Sequence, residues 1–71
     1  MQKFFFTFGY AHDHDGYCQP IVASSYEEAE RIMFQEYGRQ WAFGYTEIEF
    51  NESKYTKHLK HLPTIQVKEA I

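Results

Sequence analysis

SSYEEAERIMFQEYG, residues Ser24–Gly38, is the stretch on which the fold turns. Ser24 or Ser25 suits the N-cap. Ser25 and Glu28 have the spacing of a capping box, in which each side chain accepts from an otherwise unbonded backbone N–H. Glu27, Glu28 and Glu30 crowd the positive end of the helix dipole. Tyr26, Ala29, Met33 and Tyr37 recur at helical spacing with Ile32 beside them, so one face is apolar. Gly38 stands where a left-handed C-terminal stop is expected. A helix this short is marginal alone in water, so its apolar face predicts a sheet to cover.

Working outward, KFFFTFG (Lys3–Gly9) alternates. Phe4, Phe6 and Phe8 share one face; Phe5, Thr7 and Gly9 share the other. This is the pattern of a central strand whose three-Phe face meets the helix, with Phe5 an exposed or interface ring. YAHDHDG (Tyr10–Gly16) is polar and ends in Asp15-Gly16, a turn signal. YCQPIVA (Tyr17–Ala23) is the return strand of a hairpin. Pro20 lacks a donor, which predicts an edge or bulged strand.

Beyond the helix, WAFGYTEIEF (Trp41–Phe50) switches parity. Trp41, Phe43 and Tyr45 fall on one face of an extended chain, Ile48 and Phe50 on the other. A bulge near Gly44 or Tyr45 restores one apolar side; the alternative is a strand covered on both faces, which calls for a dimer. NESKYTKHLKHL (Asn51–Leu62) predicts a short second helix. Tyr55, Leu59 and Leu62 form its apolar stripe, and Lys54, Lys57, His58 and His61 an adjoining face. Pro63 ends it. TIQVK (Thr64–Lys68) alternates weakly, as a fourth, edge strand, and the last residues are expected to fray. The expected fold is α+β: a small antiparallel sheet in β-β-α-β order, the main helix packed on one face, and a short C-terminal helix. It is one domain, with a main body over residues 3–50 and the short helix and tail over 51–71. The second sheet face is left open for an oligomer contact or a ligand.

A chain of 71 residues buries only about 60% of its unfolded surface. Seven Phe, six Tyr and one Trp offset that thin core and leave some rings over for an interface. The lone Cys18 excludes an internal disulfide and suits a reducing cytoplasm. No apolar run is long enough for a membrane helix, and the opening MQKFFFTFGY is too short and aromatic an apolar tract for a secretory signal. Residues 1–52 hold nine acids and three bases, giving −6; residues 53–71 hold four bases and one acid, giving +3. The acidic body argues against a phosphate-wrapping sheet.

Four groupings have chemical potential. His12-Asp13-His14-Asp15, with His58 and His61, has metal-capable side chains but reads equally as a solvated turn and helix face. Asp13-x-Asp15-Gly16 lacks the downstream Glu of a calcium loop. His12 or His14 beside Glu47 or Glu49 would make an acid–base pair, although nothing local places them together. With no phosphate loop, nucleophile elbow or paired-cysteine motif, neither an enzyme nor a cofactor or metal is expected. Tyr10, Arg39 and Trp41, each beside a glycine or an element boundary, form a candidate set for stacking a nucleotide ligand; the plainer reading has Gly38 capping the helix and Trp41 anchoring the core. Glu27, Glu28, Glu30 and Glu36, with Glu47, Glu49 and Glu52, form an acidic edge, which reads either as a solvated face or as a surface for a basic partner.

FTFG (Phe6–Gly9), SYEEAERIMFQEYG (Ser25–Gly38) and WAFGYTEIEF (Trp41–Phe50) together resemble the small, largely uncharacterised accessory proteins of bacteriophages and prophages. The resemblance spans about residues 4–50 and carries no catalytic motif. It implies a non-enzymatic binding protein, commonly oligomeric, in the host cytoplasm. Some such proteins block a host defence protein such as a CRISPR effector; others sequester a nucleotide immune signal. The expectation is direct contact with a host defence protein through Glu27, Glu28, Glu30 and Phe5, in a homodimer or larger oligomer joined by the open sheet face, with no membrane association. The alternatives are a nucleotide sponge using Tyr10, Arg39 and Trp41, and a nucleic-acid-binding module using Lys54, Lys57 and Lys60, which requires steeply salt-dependent binding.

Overall fold

Along β1 (Gln2–Phe8), Phe4, Phe6 and Phe8 face one way and Phe5 and Thr7 the other, and all five are buried. A strand buried on both faces needs cover on both, and this chain supplies it. The computed structural model describes residues 1–9 and 12–66. After β1 come β2 (Tyr17–Ala23), α1 (Tyr26–Tyr37), β3 (Trp41–Thr46), α2 (Glu47–Glu52), β4 (Lys60–His61) and β5 (Ile65–Gln66). This is an α+β fold with one main helix.

The sheet order is β3-β1-β2-β4, with β5 also on β2. β1 pairs antiparallel with β2 and β3, whereas β4 and β5 run parallel to β2. The sheet is therefore mixed, not wholly antiparallel. β2 is consequently central rather than an edge strand, and its register with β1 is unbroken. Lys60 N–H bonds to the Gly16 carbonyl and Leu62 N–H to that of Cys18, so the even-numbered backbone groups of β2 point toward β4 and β5. Pro20 lies on that side, between the β4 contact at Cys18 and the β5 contact at Ile21. Its missing N–H costs no bond to β1.

α1 begins as its sequence dictates. Ser25 Oγ accepts from Glu28 N–H at 3.2 Å, while the Glu28 carboxylate reaches one residue further back, to Ser24 N–H at 2.8 Å and Ser24 Oγ at 3.0 Å. It ends at Gly38, with φ +63° and ψ −130°, a conformation that only glycine adopts without strain. Its buried Ala29 and Met33 pack with Phe4, Phe6, Phe8, Ile21 and Ala23; Tyr26, Ile32, Tyr37 and Trp41 close the rim of that core. Tyr26 lies across Gly44 of β3. A Cβ there would come within 2.6 Å of Phe6 Cε2 and would collide with the Tyr26 hydroxyl. Gly44 is thus a seat for an aromatic ring and not a bulge. The register shift between β1 and β3 falls between Phe43 and Trp41, leaving Ala42 as the extra residue.

The second face carries the largest departure from expectation. Chain extension ends at Thr46, and Glu47–Glu52 is helical. Thr46 N–H donates to Glu49 Oε1 at 3.0 Å and Glu49 N–H to Thr46 Oγ1 at 3.2 Å, a complete capping box. The parity switch is a change of element: Phe50 turns inward while Ile48 is 71% exposed. Phe50 stacks on Phe5, ring centroids 4.1 Å apart, and Cys18, Tyr45 and Leu59 complete this smaller core. The helix expected over Asn51–Leu62 does not form. Ser53 turns extended, Thr56 is pinned by a 2.7 Å bond from its hydroxyl to the Phe50 carbonyl, and the chain reaches β4 instead. The strand expected over Thr64–Lys68 is seen as Ile65–Gln66; Val67 and Lys68, with the expected fraying end, lie outside the described residues.

Gln19 ties the two ends of the chain together. It is 2% exposed. Its Nε2 donates to the Pro20 and Pro63 carbonyls at 2.9 and 2.7 Å, and its Oε1 accepts from the Tyr37 hydroxyl at 2.6 Å. Burial, and to a lesser degree Glu36, raises the Tyr37 pKa, which keeps the phenol a donor.

Candidate functional site

Both helices start at the same end of the sheet. α1 follows the end of β2, where Ala23 pairs with Gln2; α2 follows the end of β3, where Thr46 pairs with Phe4. The first turns of both are acidic, with Glu27 and Glu28 on α1 and Glu47 and Glu49 on α2. Tyr26 stands between them, half-buried, edge-on to Phe4 at 5.7 Å and tilted over Phe6 at 5.8 Å. Its phenol pKa is raised, first by burial and then by the charges of Glu30 and Glu49. Carboxylates from two helices thus act on one hydroxyl. A shallow groove of about 450 Å³, lined by Met1, Lys3, Val22, Glu47 and Ile48 among others, opens beside them.

The carboxylates differ in what they are free to do. Glu28 holds Ser24, and those hydrogen bonds depress its pKa, with a smaller contribution from Arg31. Glu49 is committed to the Thr46 cap. Glu27 and Glu47 are exposed and Glu30 half-exposed. Of the expected contact residues, Glu27 and Glu30 therefore stand as surface charges, whereas Glu28 is a capping residue. Glu47, expected in the same acidic edge, is an exposed residue of the first turn of α2, a helix that reading Trp41–Phe50 as one strand concealed. The Thr46-x-x-Glu49 spacing was the signal that could have revealed it.

Phe5 is corrected outright. It is 3% exposed, stacked under Phe50, with Lys3 Nζ 5.4 Å from its ring centroid and His61 edge-on at 5.7 Å. It offers no surface to a partner, because α2 covers the part of the sheet face that holds it. Trp41 is half-buried at the rim of the α1 core. Its ring packs edge-on against Phe6 at 5.2 Å and Phe34 at 5.8 Å, and its indole N–H is buried without a hydrogen-bond partner. Arg39 is exposed in the turn after α1, and Tyr10 lies outside the described residues.

Comparison of the chain with family models, curated proteins and solved structures finds no match.

The histidines are dispersed. His12 stacks on Phe8 at 4.8 Å, its Nδ1 accepts from His14 N–H at 3.0 Å, and its Nε2 lies 3.2 Å from Gln40 Oε1. Accepting at Nδ1 makes Nε2 the nitrogen that carries the hydrogen and donates to Gln40. His61 packs on the opposite sheet face, against Phe5 and Phe50. The four histidines do not converge, and among the described residues no group of three or more His, Cys, Asp or Glu is placed to hold a metal. Nor do His12 and His14 meet Glu47 or Glu49, since they lie at opposite ends of β1. Lys54, Lys57 and Lys60 share no helix; Lys60 Nζ lies 5.9 Å from the Tyr17 ring. No helix among the described residues is long and apolar enough to cross a membrane.

Proposed function

We propose that the chain is a non-enzymatic binding protein of the host cytoplasm that docks a basic surface of a host defence protein through its acidic end and thereby inhibits it. The docking surface rests on one observation: both helices start at the same end of the sheet, where Glu27, Glu30 and Glu47 are surface charges, Glu30 and Glu49 both act on the Tyr26 phenol, and Ile48 is exposed. Surface carboxylates at the end that also exposes Ile48 suit a contact for a cationic partner, with the charges steering approach and Ile48 desolvated on arrival; Lys3 lines the same groove as Ile48 and Glu47. The inhibitory setting comes from the resemblance to phage accessory proteins.

The test compares wild type with a Glu27→Gln, Glu30→Gln, Glu47→Gln variant as baits in lysate of a bacterial host carrying defence systems, at low and high salt. The expected result is a protein retained by wild type, released by salt and absent from the variant. Equal capture by both baits overturns the acidic-end reading. Glu28 and Glu49 stay unaltered, because their loss would unravel helix starts and confuse folding with binding.

A further inference from the structure

At the other end of β1, α2 leaves part of the second sheet face uncovered. A groove of about 480 Å³ lies there, floored by Thr7, Gly9 and Leu59 and walled by Phe43 and Tyr55. These two rings are 64% and 83% exposed, the largest values among the aromatics of the described residues. Tyr55 is not on a loose loop. Ser53 Oγ accepts from Tyr55 N–H at 3.2 Å, Thr56 is 2% exposed and bonded to the Phe50 carbonyl, and Leu59 N–H closes a turn onto Thr56 O at 3.2 Å. A largely exposed ring on a pinned turn is an anchor whose backbone is already ordered before binding.

We infer that this groove is the contact between two copies of the chain, related by a two-fold axis, with Tyr55 of each copy seated against Phe43 in the groove of the other. Two features favour a second copy over other occupants. A two-fold contact requires one patch that is complementary to itself, and here the projecting ring and the groove occupy the same patch. The charges agree. Asp15 lines the groove on the hairpin side and His58, next to Lys57, lines it on the loop side, so a two-fold that brings loop to hairpin sets Asp15 of each copy against the basic loop of the other. This pairing narrows the expected union through an open sheet face to the part that α2 leaves uncovered, without Phe5. It also leaves the acidic ends, at the opposite end of β1, facing away from the contact, so the dimer would present two of them.

The test is the oligomeric state of the full chain by sedimentation over a concentration series, for wild type, Tyr55→Ala, Phe43→Ser and, as a control at the far end, Ile48→Ser. All three side chains are exposed, so the folds should survive, and far-ultraviolet circular dichroism checks this. The expected result is a reversible wild-type dimer whose dissociation constant rises about tenfold or more in Tyr55→Ala and Phe43→Ser and is unchanged in Ile48→Ser. A wild-type chain that stays monomeric throughout overturns the inference and leaves the groove to a different partner. So does a dimer that Ile48→Ser weakens and Tyr55→Ala does not. Neither result bears on the acidic-end reading, which the lysate comparison decides separately.

Discussion

Gln19 shows how one side chain can hold distant parts of a chain in register. Its amide spends both donors and an acceptor on buried Pro20, half-buried Tyr37 and Pro63 at the surface. Gln19→Leu keeps the volume but leaves the Tyr37 hydroxyl and the Pro63 carbonyl without that partner. We expect a loss of about 2 kcal/mol in urea unfolding, with an unchanged slope. A midpoint equal to wild type would mean that water satisfies these groups and that the network holds nothing together. Nothing local marks Gln19 as special, because two of its three partners lie 18 and 44 residues away. Gly44 is similar. Its sequence position suggested a bulge, and only the ring of Tyr26 lying across it explains why no Cβ fits.

The two helix starts were legible to different degrees. α1 has its cap, acidic first turn, apolar stripe and terminal glycine within 15 consecutive residues, although Glu28 bonds Ser24 in place of closing the expected box on Ser25, and Gly38 ends the helix at positive φ without the left-handed helical ψ. α2 has the complete capping box, but it follows a strand of aromatic residues, and strand alternation seemed to run through it. The physical competition was settled by Phe50, which as a helical residue covers Phe5. The α1 start also predicts a pH effect. The Glu28 carboxyl titrates below its ordinary range because Ser24 bonds the charged form. Its stabilising contribution is therefore complete above the unfolded-state value and disappears as pH falls through the lowered folded value. Thermal melts of wild type and Glu28→Gln should differ most near neutrality and converge in acid. A gap that stays constant across the acid range would assign the effect to packing instead.

Across the whole molecule, two unequal cores lie on either side of one sheet. The larger one sits under α1, and the smaller gathers Phe5, Cys18 and Phe50 under α2. Cys18 reports on the smaller core: burial pushes its thiol up to about 11, with Lys3 opposing that shift only in part. Thiol-specific alkylation of the native chain should be slow and should follow the opening of the structure, accelerating with urea in step with unfolding. Fast labelling in native buffer would show that α2 lifts from the sheet on its own. The sequence by itself determined the α+β class, the hairpin, the main helix with both its ends, and the three-Phe face that the helix covers. Each follows from periodicity, caps or turn residues within a few positions of one another. Tertiary structure alone decided that Glu47–Glu52 coils, that β4 and β5 lie parallel on β2, and that carboxylates from two helices meet at one end while two exposed rings flank a groove at the other. Those outcomes depend on which leftover apolar surface, chiefly Phe5 and Cys18, the last third of the chain is drawn to bury, and on pairings between residues far apart in sequence that no local pattern encodes.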